Sequence, residues 1–235
     1  MAPRTPSVLA GLGLAVLLAG ALTACAGGAG DTPDDADDLE VSAAWLDDGR
    51  MIGLVTQGSS TCIPVADDAT LKGSTLTVTL GAAAGDEACT SDFVPRVTLV
   101  GLPEGVDPTK NLEVVVKGED GVQGDTELDG VPGLGGGGET DYLPSAGWTD
   151  EDGEFVILTW GSSGCVPVIE NTEATSATEV TVTFQTPPDD QVCTMDMSPR
   201  GLVATVTGIE DDDAEIFAIL EGAEFDNVRI PITPN

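Results

Sequence analysis

The sequence predicts an all-β protein built from two tandem, duplicated, small β-sandwich-like modules, each closed by one disulfide. Three observations predict this fold class. Short segments alternate apolar and polar residues with a period of two, which is typical of half-buried strands. The second half of the chain repeats the first at an offset of 103 or 104 residues, and four of the five cysteines fall two to each copy.

The strand signal is clearest in "TLTVTL" (Thr75–Leu80) and its counterpart "VTVTF" (Val180–Phe184). Both are rich in β-branched residues, and alternation assigns their aliphatic and aromatic side chains to one inner face. "WLDDGRMIGL" and "WTDEDGEFVIL" predict hairpins with Asp48-Gly49 and Asp152-Gly153 in the turns. No segment between residues 41 and 235 shows a capped amphipathic helix pattern.

The repeat is defined by two phrases. "GSSTCIPV" (Gly58–Val65) returns as "GSSGCVPV" (Gly161–Val168), and "CTSDFVPR" (Cys89–Arg96) returns as "CTMDMSPR" (Cys193–Arg200). A copy of about 80 residues is too long for a solenoid repeat and indicates a duplicated domain.

An export segment precedes the repeats. Arg4 is followed by the uncharged apolar run Val8–Leu22, which is short for a membrane span and has the layout of a signal peptide. The residues Leu22-Thr23-Ala24-Cys25 resemble the lipobox of bacterial lipoproteins. That resemblance implies cleavage before Cys25 and acylation of its thiol and amino group by chains such as palmitate, enough for stable anchoring.

These observations divide the chain into five predicted regions. They are a signal peptide (1–24), an acidic flexible tether (25–40), β-module 1 (41–118), a Gly-rich flexible linker (119–141) and β-module 2 (142–235). The linker is predicted from its nine glycines between residues 118 and 141 and its few apolar side chains.

With Cys25 assigned to the lipid, four cysteines remain, and an even number in an exported chain indicates disulfides. Three pairings are possible, and the repeat favours one bond per module: Cys62–Cys89 and Cys165–Cys193. Closing loops of this length contributes roughly 3–4 kcal/mol in the chain-entropy treatment. Modules of about 80 residues with few aromatics need such a constraint.

The charge limits the partners. Residues 25–235 carry all 41 acidic residues and seven basic ones, a net charge of −34. Such a surface repels nucleic acid and gains nothing from anionic lipid. The expected partners are the membrane, through the lipid only, and another envelope protein or a cationic ligand.

The composition also restricts chemistry. The chain has no histidine, which removes Ser-His-Asp and Cys-His catalysis and His-bearing zinc sites. The serines of the repeated phrase are interpreted as turn residues that hydrogen-bond their own backbone. Asp150–Glu154 contains only a fragment of a calcium loop. Met195 and Met197 have a spacing suited to Cu⁺, but are interpreted as core and surface choices along a strand. We therefore expect no catalytic residues, no metal and no cofactor.

Two aspartate–arginine pairs occupy equivalent positions: Asp92 with Arg96, and Asp196 with Arg200. They are interpreted as partly buried ion pairs that fasten the disulfide loop, with anion binding by the guanidinium groups as the alternative. Trp45 and Trp148 head the two modules and are interpreted as core residues rather than exposed ligand platforms.

The anchor and the paired phrases together resemble repeat-bearing lipoproteins of high-GC Gram-positive bacteria, a class without an assigned activity. The resemblance implies an extracytoplasmic, membrane-anchored location. The expected function is non-catalytic binding or scaffolding at the cell envelope. A solute- or Ca²⁺-capturing lipoprotein is the alternative, and a carboxylate-based hydrolase is a weaker one.

Overall fold

The computed structural model describes residues 39–83, 88–118, 121–209 and 215–235. The described chain is all-β, as predicted, and each half contributes seven strands in the same order. Module 1 contains β1 (Val41–Leu46), β2 (Met51–Gly58), β3 (Val65–Lys72), β4 (Thr75–Gly81), β5 (Val94–Gly101), β6 (Leu112–Lys117) and β7 (Gln123–Leu128). Module 2 contains β8 (Ser145–Trp148), β9 (Glu154–Gly161), β10 (Ile169–Ser176), β11 (Glu179–Phe184), β12 (Ser198–Thr205), β13 (Phe217–Gly222) and β14 (Phe225–Thr233).

Each module is a sandwich of a three-stranded and a four-stranded sheet. Module 1 has the orders β1-β2-β5 and β3-β4-β6-β7, in which only β4 and β6 pair in parallel. Module 2 repeats both orders, with β11 and β13 as its parallel pair. There the two sheets are also joined edge to edge, because β14 pairs in parallel with β8.

The inner faces follow the predicted alternation. The aliphatic residues of β4 are at most 5% exposed, and the apolar residues of β11, including Phe184, are at most 1% exposed. Trp45 is fully buried and donates its indole N–H to the carbonyl oxygen of Asp129 at 2.8 Å. Trp148 is 4% exposed and contacts Phe155 edge to face. The interpretation of both tryptophans as core residues is confirmed.

The strands at the sheet edges carry features that oppose further strand pairing. β3 and β10 lie at the ends of their sheets, and both show register shifts in their pairing. Their outward residues include the exposed carboxylates of Asp67, Asp68, Glu170 and Glu173. Bulges and charges on an edge strand disfavour association with another chain.

The prediction of a flexible linker over 119–141 is wrong for much of that range. Gln123–Leu128 forms β7 and pairs with β6, so module 1 extends past residue 118. Its alternation was hidden because the inward position 124 is glycine: a Cβ there would lie 2.1 Å from the carbonyl oxygen of Leu39. Leu39 donates its N–H to Gln123 O at 2.8 Å, so the fold also begins inside the predicted tether.

The Gly-rich stretch after β7 is fixed to module 1 by hydrogen bonds to its backbone groups. Gly136 donates its N–H to the carbonyl oxygen of Asp48 at 2.9 Å, and Gly135 donates to the carboxylate of the same residue at 3.1 Å. Arg50 donates to the carbonyl oxygen of Gly137 at 2.9 Å. The described part of the predicted linker therefore covers the β1–β2 turn instead of separating the modules.

The two modules pack against each other through a third apolar cluster. Its buried members are Ala44, Leu46, Val55, Val97, Val156 and Leu158. Glycines permit the close approach: a Cβ at Gly147 would lie 2.3 Å from the carbonyl oxygen of Trp45, and one at Gly201 would lie 2.8 Å from Val97. The three-stranded sheets are consequently buried on both faces.

Polar contacts at the rim of this interface fix its orientation. Ser42, at the start of β1, donates its hydroxyl to Glu154 at 2.9 Å, whereas the N–H of Asp47, after the end of β1, donates to the hydroxyl of Ser145 at the start of β8. β1 and β8 therefore cross in opposite directions. β2 runs antiparallel to β1, and β9 runs antiparallel to β8, so each disulfide lies near the start of β1 or of β8. The two disulfides therefore lie at opposite ends of the two packed modules.

Candidate functional site

The repeated phrases meet at one end of each module and form what we term the cysteine loops. Cysteine loop 1 comprises residues 58–65 and 88–96, and cysteine loop 2 comprises residues 161–168 and 192–200. The disulfides Cys62–Cys89 and Cys165–Cys193 join the two segments of each loop, which confirms one disulfide per module.

Hydroxyl groups tie the two segments of each loop together. Ser59 and Thr90 lie 2.8 Å apart through their hydroxyl oxygens, and Ser162 and Thr194 lie 2.7 Å apart. Within each Gly-Ser-Ser phrase, the cysteine N–H also donates to the carbonyl oxygen of the first serine at 3.3 Å. The hydroxyls of Ser59 and Ser162 also accept the backbone N–H two residues later, at 3.3 and 3.2 Å, so the first serine of each phrase serves its own turn, as predicted.

The aspartate has the same role in both loops, and that role differs from the one predicted. Asp92 accepts the N–H of Ser60 at 3.3 Å, and Asp196 accepts the N–H of Ser163 at 3.2 Å. Each also accepts the hydroxyl of the threonine two residues earlier. Among the described residues neither carboxylate pairs with the arginine four residues later, so the predicted Asp–Arg ion pair is wrong. The aspartate instead caps the Gly-Ser-Ser turn.

The arginine of each loop donates hydrogen bonds to the backbone of the Gly-Ser-Ser-x-Cys phrase. Arg96 donates to the carbonyl oxygen of Cys62, and Arg200 donates to that of Cys165 at 3.0 Å. Each guanidinium lies against the Cα of the glycine that opens the phrase. A Cβ at Gly58 would approach Arg96 Cζ to 2.4 Å, and one at Gly161 would approach Arg200 Cζ to 2.8 Å. This contact explains why both phrases begin with glycine.

Arg200 is the more completely enclosed of the two. It is 5% exposed, and four of its N–H donors reach Thr159, Trp160, Cys165 and the carboxylate of Glu224. Its guanidinium therefore holds the loop, as predicted, but its carboxylate partner is Glu224 and not the predicted Asp196.

Arg96 is half-buried, and that burial lowers its pKa. Its donors reach Thr56 at 3.5 Å and the carbonyl oxygens of Ser59 and Cys62. Position 120, the counterpart of Glu224, lies outside the described residues.

Hydrogen bonding stabilises the ionised form of both capping aspartates. The Ser60 and Thr90 donors lower the pKa of Asp92 to about 2. The Thr194, Ser198 and Ser163 donors lower the pKa of Asp196, and the Ser198 hydroxyl, at 2.7 Å, is a donor of Asp196 alone. Module 1 has Val94 at the position of Ser198, so only the second loop has this third donor.

The cysteine loops expose apolar side chains in both modules. The exposed large apolar residues of loop 1 are Ile63, Val65 and Phe93; those of loop 2 are Val166, Val168, Val192, Met195 and Met197. Val192 is 90% exposed and Met195 fully so. The interpretation of Met195 and Met197 as core and surface choices along a strand is wrong, because both are exposed and neither lies in a strand.

A groove of about 360 Å³ lies beside the disulfide of module 2. Its walls include Val166, Pro167, Val168 and the Pro187-Pro188 pair, and Arg200 and Glu224 lie at one side. The surface of the groove is mostly apolar. It is therefore suited to an apolar side chain rather than to an ion.

A different set of groups gathers at the rim of the module interface. Glu154 is 8% exposed and accepts the hydroxyls of Ser42 and Thr149 at 2.9 and 3.1 Å; its burial raises its pKa. Burial also raises the pKa of Asp47, which accepts the hydroxyl of Thr140 at 3.0 Å. Over the described ranges, no group of three or more carboxylate, cysteine or histidine side chains is placed to hold a metal ion.

The aromatic pair Tyr142 and Trp160 lies outside the cysteine loops. Tyr142 is 54% exposed and stacks edge to face on Trp160, with 5.1 Å between ring centroids. The indole N–H of Trp160 is buried and has no acceptor among the described residues.

No family model, curated protein or solved structure matches this chain. In the described part of the chain, no helix has the length and apolar character needed to cross a bilayer. The signal peptide (1–24) and the lipidation residue Cys25 lie outside the described residues, so both stay predictions.

Proposed function

We propose that the protein is a lipoprotein anchored through Cys25 to the extracytoplasmic face of the cell membrane, where its modules bind or scaffold another envelope component without catalysis. The observation that carries this proposal is the exposure of large apolar side chains at both cysteine loops of a chain with a net charge of −33. Exposed apolar groups gathered at one place are typical of an interaction surface.

The rigidity of the loops supports a binding role. Each loop is held by a disulfide, an aspartate cap and an arginine, so its backbone is ordered before a partner arrives. Binding to a preorganised surface costs less conformational entropy than binding that must order a loop. The apolar side chains themselves have no buried role in the described fold.

The point at which the chain enters the fold supports the anchored arrangement. Leu39 lines the same small cavity as Pro64 and Arg96, at cysteine loop 1. The 14-residue step from Cys25 to Leu39 spans at most about 50 Å when fully extended. A lipid on Cys25 would thus leave up to this distance between the bilayer and the entry of the chain into the fold at cysteine loop 1.

The anchor is tested by comparing the full chain with its Cys25→Ala variant in a Gram-positive host. The wild type should incorporate labelled palmitate and remain in the membrane fraction, and the variant should lose the label and the membrane association. The Cys62→Ala/Cys89→Ala variant is the matched control and should keep the label. An unlabelled wild type, or equal labelling of the Cys25→Ala protein, would refute the anchor.

The binding role is tested with residues 25–235 carrying Cys25→Ser, which retain every described residue. Mixed with a detergent extract of the source organism's envelope, this protein should retain one stoichiometric component. A retained small molecule, or thermal stabilisation by added Ca²⁺, would favour the capture alternative instead. Turnover of a substrate by the same preparation would contradict the non-catalytic assignment.

A further inference from the structure

We infer that cysteine loop 2 is the docking surface of this protein and that it accepts an apolar segment of a partner protein flanked by lysine or arginine. This inference rests on the proposed binding role and names its location and the chemistry of its partner. Its elements are the groove beside the disulfide, the exposed apolar side chains around it and the carboxylates at its margin.

The apolar component is concentrated on this loop. Val168 lines the groove, and Val192 and Met195 extend from the neighbouring segment at 90% and 103% exposure. At the equivalents of the last two positions, module 1 has Ala88 and Ser91. A methionine adapts its shape to different apolar surfaces, which suits a docking side chain.

The negative charge around the groove favours a partner with basic residues. The exposed Asp189 and Asp190 directly follow the Pro187-Pro188 wall, whereas Glu224, at 49% side-chain exposure, lines the groove already paired with Arg200. The whole chain adds a net charge of −33, so an anionic surface or a second copy of this chain would be repelled. A partner with basic residues beside an apolar anchor satisfies both parts of the surface.

The inference is tested by selecting a displayed library of random dodecapeptides on residues 25–235 carrying Cys25→Ser. Enriched peptides should combine apolar residues with flanking Lys or Arg. The Val168→Ser/Met195→Ser variant should weaken their binding at least tenfold. The matched variant Val65→Ser, which makes the same change at the equivalent position of module 1, should leave binding unchanged.

A second variant measures the contribution of the charges to peptide binding while the apolar side chains stay in place. Asp189→Asn/Asp190→Asn should weaken binding of the same peptides severalfold at low salt and have less effect at high salt, because screening removes the contribution of exposed charges. Thermal unfolding of each variant establishes that it is folded. All of these positions are exposed, so the variants should unfold at nearly the wild-type temperature.

The inference is overturned if enrichment fails, if the enriched peptides are acidic, or if both serine variants bind equally well. It is also overturned if the protein instead binds neutral phosphatidylcholine vesicles through Met195, which would assign the loop to a membrane. If an envelope component is still retained by the Val168→Ser/Met195→Ser variant, the proposed binding function stands and only this location fails.

Discussion

The two cysteine loops share their internal contacts and differ in the side chains they expose. In both, an aspartate caps the Gly-Ser-Ser turn and an arginine lies beneath the opening glycine. Outside these contacts, Ala88 and Ser91 in loop 1 correspond to Val192 and Met195 in loop 2. Since the residues that hold the loop are the same, the two copies differ mainly in the surface that each loop exposes.

The largest expected effect tests whether the loops are equivalent as structures. Removing either disulfide, as Cys62→Ala/Cys89→Ala or Cys165→Ala/Cys193→Ala, should lower the free energy of unfolding by about 3–4 kcal/mol, because the closed loops have nearly the same length. Urea denaturation of both variants measures this. If only one of the two variants lost free energy of unfolding, the two disulfides would not contribute equally to stability.

The next effect tests whether the modules act as one unit. Leu158 is fully buried in the cluster between them, so Leu158→Ala should lower the free energy of unfolding by about 3 kcal/mol. Calorimetry should show one unfolding transition for the wild type and for this variant. Two resolved transitions in the wild type would contradict a fused pair.

Replacing the arginine of each loop by alanine should lower the free energy of unfolding by different amounts in the two loops. Arg200 is 5% exposed and satisfies two carbonyl oxygens and Glu224, whereas Arg96 is half-buried. Arg200→Ala leaves the buried hydroxyl of Thr159 and two partly buried carbonyl oxygens without this donor and should cost about 2–3 kcal/mol, against about 1 kcal/mol for Arg96→Ala. Chemical denaturation of both variants compares them, and an equal or reversed order would refute the burial argument.

The smallest effect concerns the capping aspartates. Their folded-state pKa values lie below the unfolded value, so the stability they contribute is present above about pH 4 and is lost as the pH falls towards 2. NMR titration should find a pKa of about 2 for Asp92 and a lower one for Asp196.

Exchanging the residue two positions after each capping aspartate tests the cause of the difference in pKa between Asp92 and Asp196. Ser198→Val should raise the pKa of Asp196 towards that of Asp92, and Val94→Ser should lower the pKa of Asp92, because each variant removes or adds one hydroxyl donor. Unchanged values in both variants would show that the serine does not set the difference.

The sequence predicted the features that depend on local pattern or on the repeat. The alternation in β4 and β11 identified their buried faces, and the duplication selected the correct disulfides. β7 was missed because its inward residues include Gly124 and Thr126, which give no apolar alternation. Glycine is required at position 124 by a contact distant in sequence, with Leu39, which a local pattern does not reveal.

The module interface was missed although a signal for it exists. β9 contains the continuous apolar run Phe155–Leu158, and all four residues are fully buried. An uninterrupted apolar run in a strand indicates burial on both faces. The Gly-rich segment between the modules suggested independence and outweighed that signal.

The candidate site was only partly accessible to sequence reasoning. The repeat identified Asp92, Arg96, Asp196 and Arg200, but their spacing suggested ion pairs, whereas each aspartate caps a turn and each arginine binds carbonyl oxygens. Hydrogen bonds to backbone groups leave no pattern in side-chain identity. The exposure of Met195 was hidden because methionine is usually a core residue.

The most direct test of the asymmetry between the loops is site-specific photocrosslinking in living cells. A photoreactive amino acid replaces Met195 in one full-length chain and the equivalent Ser91 in another, and the products are identified by mass spectrometry. We expect one protein to be crosslinked from position 195, through a segment with apolar and basic residues, and no such product from position 91. Equal products from both positions, or only lipid adducts from position 195, would show that the exposed side chains of loop 2 do not form a docking surface.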